Sequence, residues 1–308
     1  MITTLPTIPT HLPSSLCAED DLWLTADQVR QGFDLSRRTS RIELVRMAKD
    51  ALSGMKGFVV PESIRLFGSS TKTKKGEKFL IETIVAYLLP GKLCKHATKL
   101  CLASCLGTKS GQLALSCARN AQRWKTALLE IAPIIFVALF CKEIETLQKR
   151  TEKSGYTPAV RVDGSSDTGI GQQLASYYPD VEFYDYTKSV ERAVHCAKKP
   201  IPNYDLTFSY SGENADSCRR VLASGGKVAV VFAVMPASES QNRPSALPTG
   251  DFEGYEIVDG DKHDARFRDT RKPKGIVVAL SLKGSDVPFA EVVRRAGIFA
   301  VPADRRTF

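Results

Sequence analysis

From its amino end the chain opens with a stretch that has no apolar period and holds Pro6, Pro9 and Pro13, which predicts an irregular arm. The texture then changes. Val29 and Phe33 fall one helical turn apart, and Ile42, Val45, Ala48 and Leu52 recur at helical spacing with charges between them. That pattern predicts two amphipathic helices between Thr25 and Ser53, separated by the polar run from Ser36 to Ser40. Phe79–Leu89 is apolar and β-branched and stops at Pro90 and Gly91, which predicts a strand entering a loop. Gln112 to Gln148 is helix-forming sequence, with a break or kink at Pro133.

Beyond Pro158 the rhythm is regular. Short apolar runs at Ala159–Val162, Val181–Tyr186, Tyr204–Phe208, Val228–Phe232 and Ile276–Leu280 each end in small, polar or charged residues. Helix-compatible stretches such as Gly171–Tyr178 and Ala215–Ala223 separate several of them. Strands alternating with helices imply right-handed βαβ units and a parallel sheet. With Phe79–Leu89 there are six strands, and Tyr255–Val258 is a candidate seventh. No G-x-G-x-x-G follows any strand, which turns the expectation away from a dinucleotide fold. The predicted fold is α/β: a single domain over 61–284 with a mostly parallel sheet, as a closed or partly open TIM-like barrel. A helical N-terminal extension over 1–60 precedes it, and a tail over 285–308 follows.

A chain of 308 residues with 43% hydrophobic and 25% charged residues has the composition of a globular protein with a core large enough to need no staples. Its net charge of +9 is concentrated: the segment 61–125 holds twelve Lys or Arg against Glu62, Glu77 and Glu82, and the rest of the chain is balanced. Such an excess is either a solvated face or an anion site for nucleic acid, a phosphorylated substrate or a thiolate-bound metal. Aromatic residues are sparse there, with Phe67, Phe79, Tyr87 and Trp124 poorly spaced for stacking bases. The amino end lacks a basic region followed by an apolar core. The longest apolar stretch, Ala127 to Cys141, contains Glu130 and Pro133. Neither an export signal nor a membrane span is expected, and the expected location is the cytoplasm. There, eight cysteines read as reduced thiols.

Parallel barrels gather function at the carboxyl ends of their strands. Those ends offer Cys94, His96, Cys101 and Cys105, then Asp163, Ser165, Ser166 and Asp167. Asp185, Thr187 and Lys188 follow, then Ser209 and Ser211. Asp259, Asp261, His263, Asp264, Arg266 and Lys283 complete the series. The C-x6-C-x3-C spacing of Cys94, Cys101 and Cys105 suits three ligands of an iron–sulfur cluster or, with Cys117 or His96, a tetrahedral zinc site. Lys92, Lys95, Lys99 and Lys109 beside them would favour thiolates. Cys101 and Cys105 also lie one turn apart, as two buried cysteines of a helix face would. Lys188, His263, Asp264 and Asp163 are the candidate acid–base or nucleophilic groups. Asp167, Asp185, Ser209 and Lys283 are candidate contacts to a small anionic substrate. Tyr184 and Lys188 match Y-x-x-x-K, but they sit at a strand end without a nucleotide loop.

The segments LLPGKLC…C…CLGTKSG, VRVDGSSD, DVEFYDYTK, NYDLTFSYS, KVAVVF, VDGDKHDARFRD and VVALSLKG together resemble a group of bacteriophage proteins, the gene-product-88-like proteins, over about Phe67 to Gly284. That group is in turn distantly similar to radical S-adenosylmethionine barrels, where cysteines after the first strand hold an iron–sulfur cluster. The resemblance implies a phage protein with a cluster on Cys94, Cys101 and Cys105 and, further off, bound S-adenosylmethionine. The spacing differs from C-x3-C-x2-C, and no Gly-Gly-Glu follows the second strand. The functions expected are a metal or iron–sulfur barrel enzyme, or a nucleic-acid-binding protein with a basic, metal-stabilised loop.

Overall fold

The computed structural model describes residues 21–109, 111–234, 246–269, 274–282 and 289–308. Lys283 and the proline-bearing arm lie outside them. Helix α1 (Ala26–Arg38) starts at a capping box: Thr25 Oγ1 accepts from Gln28 N at 3.1 Å, and Gln28 Oε1 accepts from Thr25 N at 3.0 Å. Such a cap is worth about 1 kcal/mol. Helix α2 (Arg41–Leu52) is capped by Ser40. Strand β1 (Phe67–Gly68) and helix α3 (Thr71–Lys74) lead into β2 (Ile81–Ala86). This strand is shorter than the apolar run, because Phe79 belongs to a 3-10 turn and Leu80 reverses the chain with φ 55°.

The short helices α4 (Lys99–Ala103) and α5 (Leu106–Lys109) carry the cysteine loop into α6 (Ser116–Ile131) and α7 (Pro133–Ser154). The expected kink is a boundary between two helices. Pro133 opens α7 in its first turn, where its missing N–H is not needed. Gly32 of α1 lets that helix approach α7 closely; a Cβ there would come 2.5 Å from Val137 Cβ. Then follow β3 (Thr157–Arg161), α8 (Ile170–Leu174), β4 (Glu182–Thr187), α9 (Val190–Lys198), β5 (Tyr204–Ser209), α10 (Ala215–Ala223) and β6 (Lys227–Phe232). After these come β7 (Asp251–Phe252), β8 (Tyr255–Asp259), β9 (Ile276–Ser281), α11 (Phe289–Ala296) and β10 (Ala300–Val301).

The sheet order is β1-β2-β3-β4-β5-β6-β9-β8-β7. All strands from β2 to β8 in that order pair in parallel, with β1 and β7 antiparallel at the two margins. Strand β10 pairs with the end of β6 beyond the reach of β5. Parallel partners share a face, so the registers sort the side chains. Ala86, Val160, Phe183, Phe208, Val230 and Val277 point to one side, where α1, α2, α6, α7, α8, α9 and α10 bury them. Thr83, Arg161, Tyr184, Asp205, Thr207 and Lys227 point to the other.

The sheet is mixed, mostly parallel and not closed by hydrogen bonds, so the closed TIM-like alternative is not formed among the described residues. Side chains bridge its margins instead. Residues before β2 meet residues after β8: Lys75 Nζ donates to the Asp261 carbonyl at 2.7 Å, and the Phe79 and His263 rings lie 5.3 Å apart. Among the described residues no helix is long and apolar enough to cross a membrane.

Candidate functional site at the carboxyl edge of the sheet

The loop after β2 is tied to α6 ahead of its cysteines and capped between them. Leu89 N donates to Thr126 Oγ1 at 2.8 Å, and Thr98 caps α4 by accepting from Cys101 N at 3.1 Å. Cys94, Cys101 and Cys105 are half-buried free thiols. Cys101 lies within electrostatic reach of both Cys94 and Cys105. Burial pushes the Cys94 thiol up to about 12, with Asp167 and Asp163 adding to the rise. Burial and Cys101 also raise Cys105, while Lys188 opposes them.

Two of the loop lysines have other partners. Lys92 pairs with Glu130 at 2.7 Å, and Lys95 donates to the Leu22 carbonyl at 3.1 Å. The amine that acts on Cys105 is Lys188, from the end of β4. His96 is engaged with Asp21 at 2.7 Å, and Cys117 lines a groove on α6 with Arg65 and Trp124. Among the described residues no three His, Cys, Asp or Glu side chains are grouped closely enough to hold a metal ion. As placed, the thiols are not a finished metal site.

Asp163 folds its own loop. Its carboxylate accepts from Ser166 Oγ at 2.6 Å, Thr168 N at 2.9 Å and Gly169 N at 3.0 Å. Its backbone N–H donates to Asp185 Oδ1 at 2.7 Å. Asp185 is buried against Gly171, where a Cβ would meet its Oδ2 at 2.4 Å. Burial, and then the charge of Asp163, raise its carboxyl well above the usual range.

Asp167 ties two strand ends together. It accepts from Thr187 Oγ1 at 3.0 Å, Lys188 N at 2.9 Å and Arg192 Nη1 at 2.7 Å. Arg192 is fully buried and also reaches the Tyr204 hydroxyl at 3.2 Å. The Ser209 carbonyl accepts from Asn214, whose side-chain oxygen accepts from Ser211 N at 2.8 Å. The Ser211 hydroxyl is buried without a hydrogen-bond partner. Ile298, just past α11, closes over Gly212 beside it.

His263, Asp264 and Arg266 belong to a different network, on the opposite sheet face, where α3 and α11 pack. Asp264 Oδ2 accepts from Tyr184 OH at 3.0 Å and Arg161 Nη1 at 3.1 Å, and Lys72 Nζ stands 3.4 Å from Oδ1. Burial works to raise this carboxyl, but the charges of Arg161, Lys72 and Arg266 outweigh it and hold Asp264 well below the usual range. Burial and the charges of Arg266 and Arg268 lower His263 to about 4, which makes it neutral at neutral pH. Lys227 Nζ donates to Asp205 Oδ2 at 2.7 Å and to the Arg266 carbonyl at 2.5 Å.

The candidate residues thus fall into two groups. Cys94, Cys101, Cys105, Asp163, Asp167 and Lys188 share the carboxyl edge, while His263 and Asp264 join a salt network with Lys72 and Arg161. The sequence reading missed Lys72, Arg161, Arg192 and Lys227. For Arg161 and Lys227 the cue was a charge beside apolar neighbours inside a strand, as in V-R-V and K-V-A-V, while Lys72 and Arg192 lie on helices and offered no such cue.

A family model described as Gene product 88 matches residues 64–296. The match begins after the two N-terminal helices and takes in the cysteine loop and every strand from β1 to β9. No curated protein and no solved structure matches the chain. The likeness to radical S-adenosylmethionine barrels is therefore not shown by any comparison.

Proposed function

The chain belongs to the gene product 88 family of phage proteins, and from that premise we propose that it is an enzyme acting on a small anionic substrate at the carboxyl edge of its sheet. One observation carries this reading. Three half-buried thiols from one loop, with Cys101 in electrostatic reach of the other two, lie at the edge where parallel sheets carry their ligands. Lys188 supplies a cationic group beside them for the substrate anion, and Ser211 a buried hydroxyl one strand further on. In this reading Asp163 and Asp167 are positioning residues, which hold the two neighbouring loops. His263 and Asp264 act at a distance, by fixing the sheet face beneath.

Cys94, Cys101 and Cys105 are the residues we assign to an iron–sulfur cluster, or alternatively to zinc. A bound metal would supply the positive charge that two buried thiols now lack. Loading would have to draw the sulfurs closer together than they stand. S-adenosylmethionine has no residues assigned to it here. The test is anaerobic purification followed by reconstitution with iron and sulfide, and separately with zinc. The wild-type protein is expected to take up metal in near-stoichiometric amount, and Cys101→Ser to lose it. Absence of both metals from the wild type, or equal uptake by Cys101→Ser, overturns the metal assignment.

A further inference from the structure

A second surface, which borders the cysteine loop at Leu89 and Lys92, carries charge that the fold does not use. We infer that the strip formed by α6 and the segment 56–66 binds a single-stranded nucleic acid through its phosphates. The segment is clamped onto the helix region without spending its exposed cations. Asn120 pairs with both polar groups of Val59, each at 2.7 Å, and Lys125 Nζ donates to the Leu66 carbonyl at 2.8 Å. Glu143 accepts from Leu66 N at 2.8 Å and Phe67 N at 3.0 Å.

Two neighbouring grooves result, of about 370 and about 570 Å³. They follow one another along α6, over Cys117 to Glu130, which is about 20 Å of helix. Half-buried Phe58 lies in the first and half-buried Pro61 in the second, so each groove has some apolar surface for a base beside its cations.

Lys56, Arg65, Arg119 and Arg123 stand exposed along this strip. Among the described residues no carboxylate is in ion-pair range of any of them; Arg123 alone has a partner, the Gly57 carbonyl at 3.5 Å. Arg119 and Arg123 are one helical turn apart, a spacing at which like charges repel. Five other surface arginines are neutralised: Arg150 by Glu82, Arg219 by Glu253, Arg220 by Glu191, and Arg294 and Arg295 by Glu291. Exposed Arg37, Arg38 and Arg268 have no carboxylate in ion-pair range among the described residues, but they line neither groove. The acids of the strip do not offset the four cations, since Glu130 is taken by Lys92 and Glu62 is one residue. A row of unpaired, exposed cations over preformed grooves is the complement of a phosphate chain whose bases are free to turn inward.

The test uses the full chain and a fluorescent oligothymidylate of about fifteen nucleotides, with anisotropy read between about 50 and about 200 mM salt. Binding is expected to weaken with a log–log slope of about −2 to −3, as three or four phosphate contacts give on a single strand. Arg119→Glu with Arg123→Glu is expected to lower affinity at least about tenfold and to flatten that slope. Lys56→Ala with Arg65→Ala should act in the same direction, and Lys198→Glu with Lys199→Glu, on exposed α9 residues, should change affinity less than about twofold. Cys101→Ser should bind as the wild type does, which separates this surface from the thiol edge. No complex at low salt, equal binding of a duplex, or equal loss in the α9 variant would overturn the inference.

Discussion

On the sheet face opposite α6 and α7, Asp264 answers Arg161, Tyr184 and Lys72, and Lys227 answers Asp205 and the Arg266 carbonyl. At the carboxyl edge, Asp163 and Asp167 are likewise consumed, by loop N–H groups, hydroxyls and Arg192. The edge differs in what is left over. Its thiols are half-buried and unlinked, and the Ser211 hydroxyl is buried with no partner. Both regions hold the acids, hydroxyls and lysines expected of a ligand-lined mouth. One spends most of them on joining the margins of an open sheet, although the Tyr186 and Thr207 hydroxyls there are buried without a partner among the described residues, and the other adds three free thiols. Neither residue type nor an unpaired hydroxyl therefore marks the site; the cluster of free thiols distinguishes the edge.

The largest effect expected from this contrast is on the face. Asp264→Ala would strand the buried cations Arg161 and Lys72 and is expected to cost about 3–5 kcal/mol in urea unfolding. A loss below about 1 kcal/mol would mean that the face network is not what holds the sheet margins together.

Asp167→Ala comes next. It leaves Arg192, with a side chain only 1% exposed, without its carboxylate, and about 3 kcal/mol should be lost. The edge thiols should be alkylated faster in the same variant, because the loops at the ends of β3 and β4 come apart. Unchanged thiol rates would show that the two loops are held independently.

A smaller effect is expected in acid. His263 is lowered to about 4 in the folded state from 6.5, so between these values the unfolded chain binds more protons than the folded one. Stability should therefore rise with pH across that window, by about 1–2 kcal/mol after allowance for the exposed part of the ring. His263→Gln should remove this part of the slope. Asp264, whose carboxyl is held well below its ordinary value, gives stability that is full above that value and lost only in stronger acid, so the two contributions separate along the pH axis.

Much of the fold was legible, and the reason lies in burial. Strands such as β6 and β9 are covered on both faces and read as unbroken apolar runs between polar punctuation, while α1 and α2 carry one apolar stripe each. The two-residue strands β1, β7 and β10 were not legible, because so short a segment has no period and forms only where a neighbour offers a free edge. Among site residues, the position of Cys94, Cys101 and Cys105 after the first long strand could be read, but their electrical surroundings could not. Lys92 and Lys95 are close in sequence yet face Glu130 and Leu22, whereas Lys188 arrives from another strand. The same limit hid the partner of Asp264, since Arg161 lies 103 residues away in the chain. The basic excess over 61–125 also divides in space. Lys72, Lys92 and Lys125 serve the fold, and Arg65, Arg119 and Arg123 face outward.

The most direct measurement of the edge's role is cysteine-resolved alkylation by mass spectrometry, before and after anaerobic metal loading. Cys94, Cys101 and Cys105 are expected to become protected together once iron and sulfide or zinc are supplied, while exposed Cys117 on α6 reacts at an unchanged rate. Protection of Cys117 in place of these three, or no change at any of the four, would contradict the assignment of the chemistry to the thiols at the carboxyl edge.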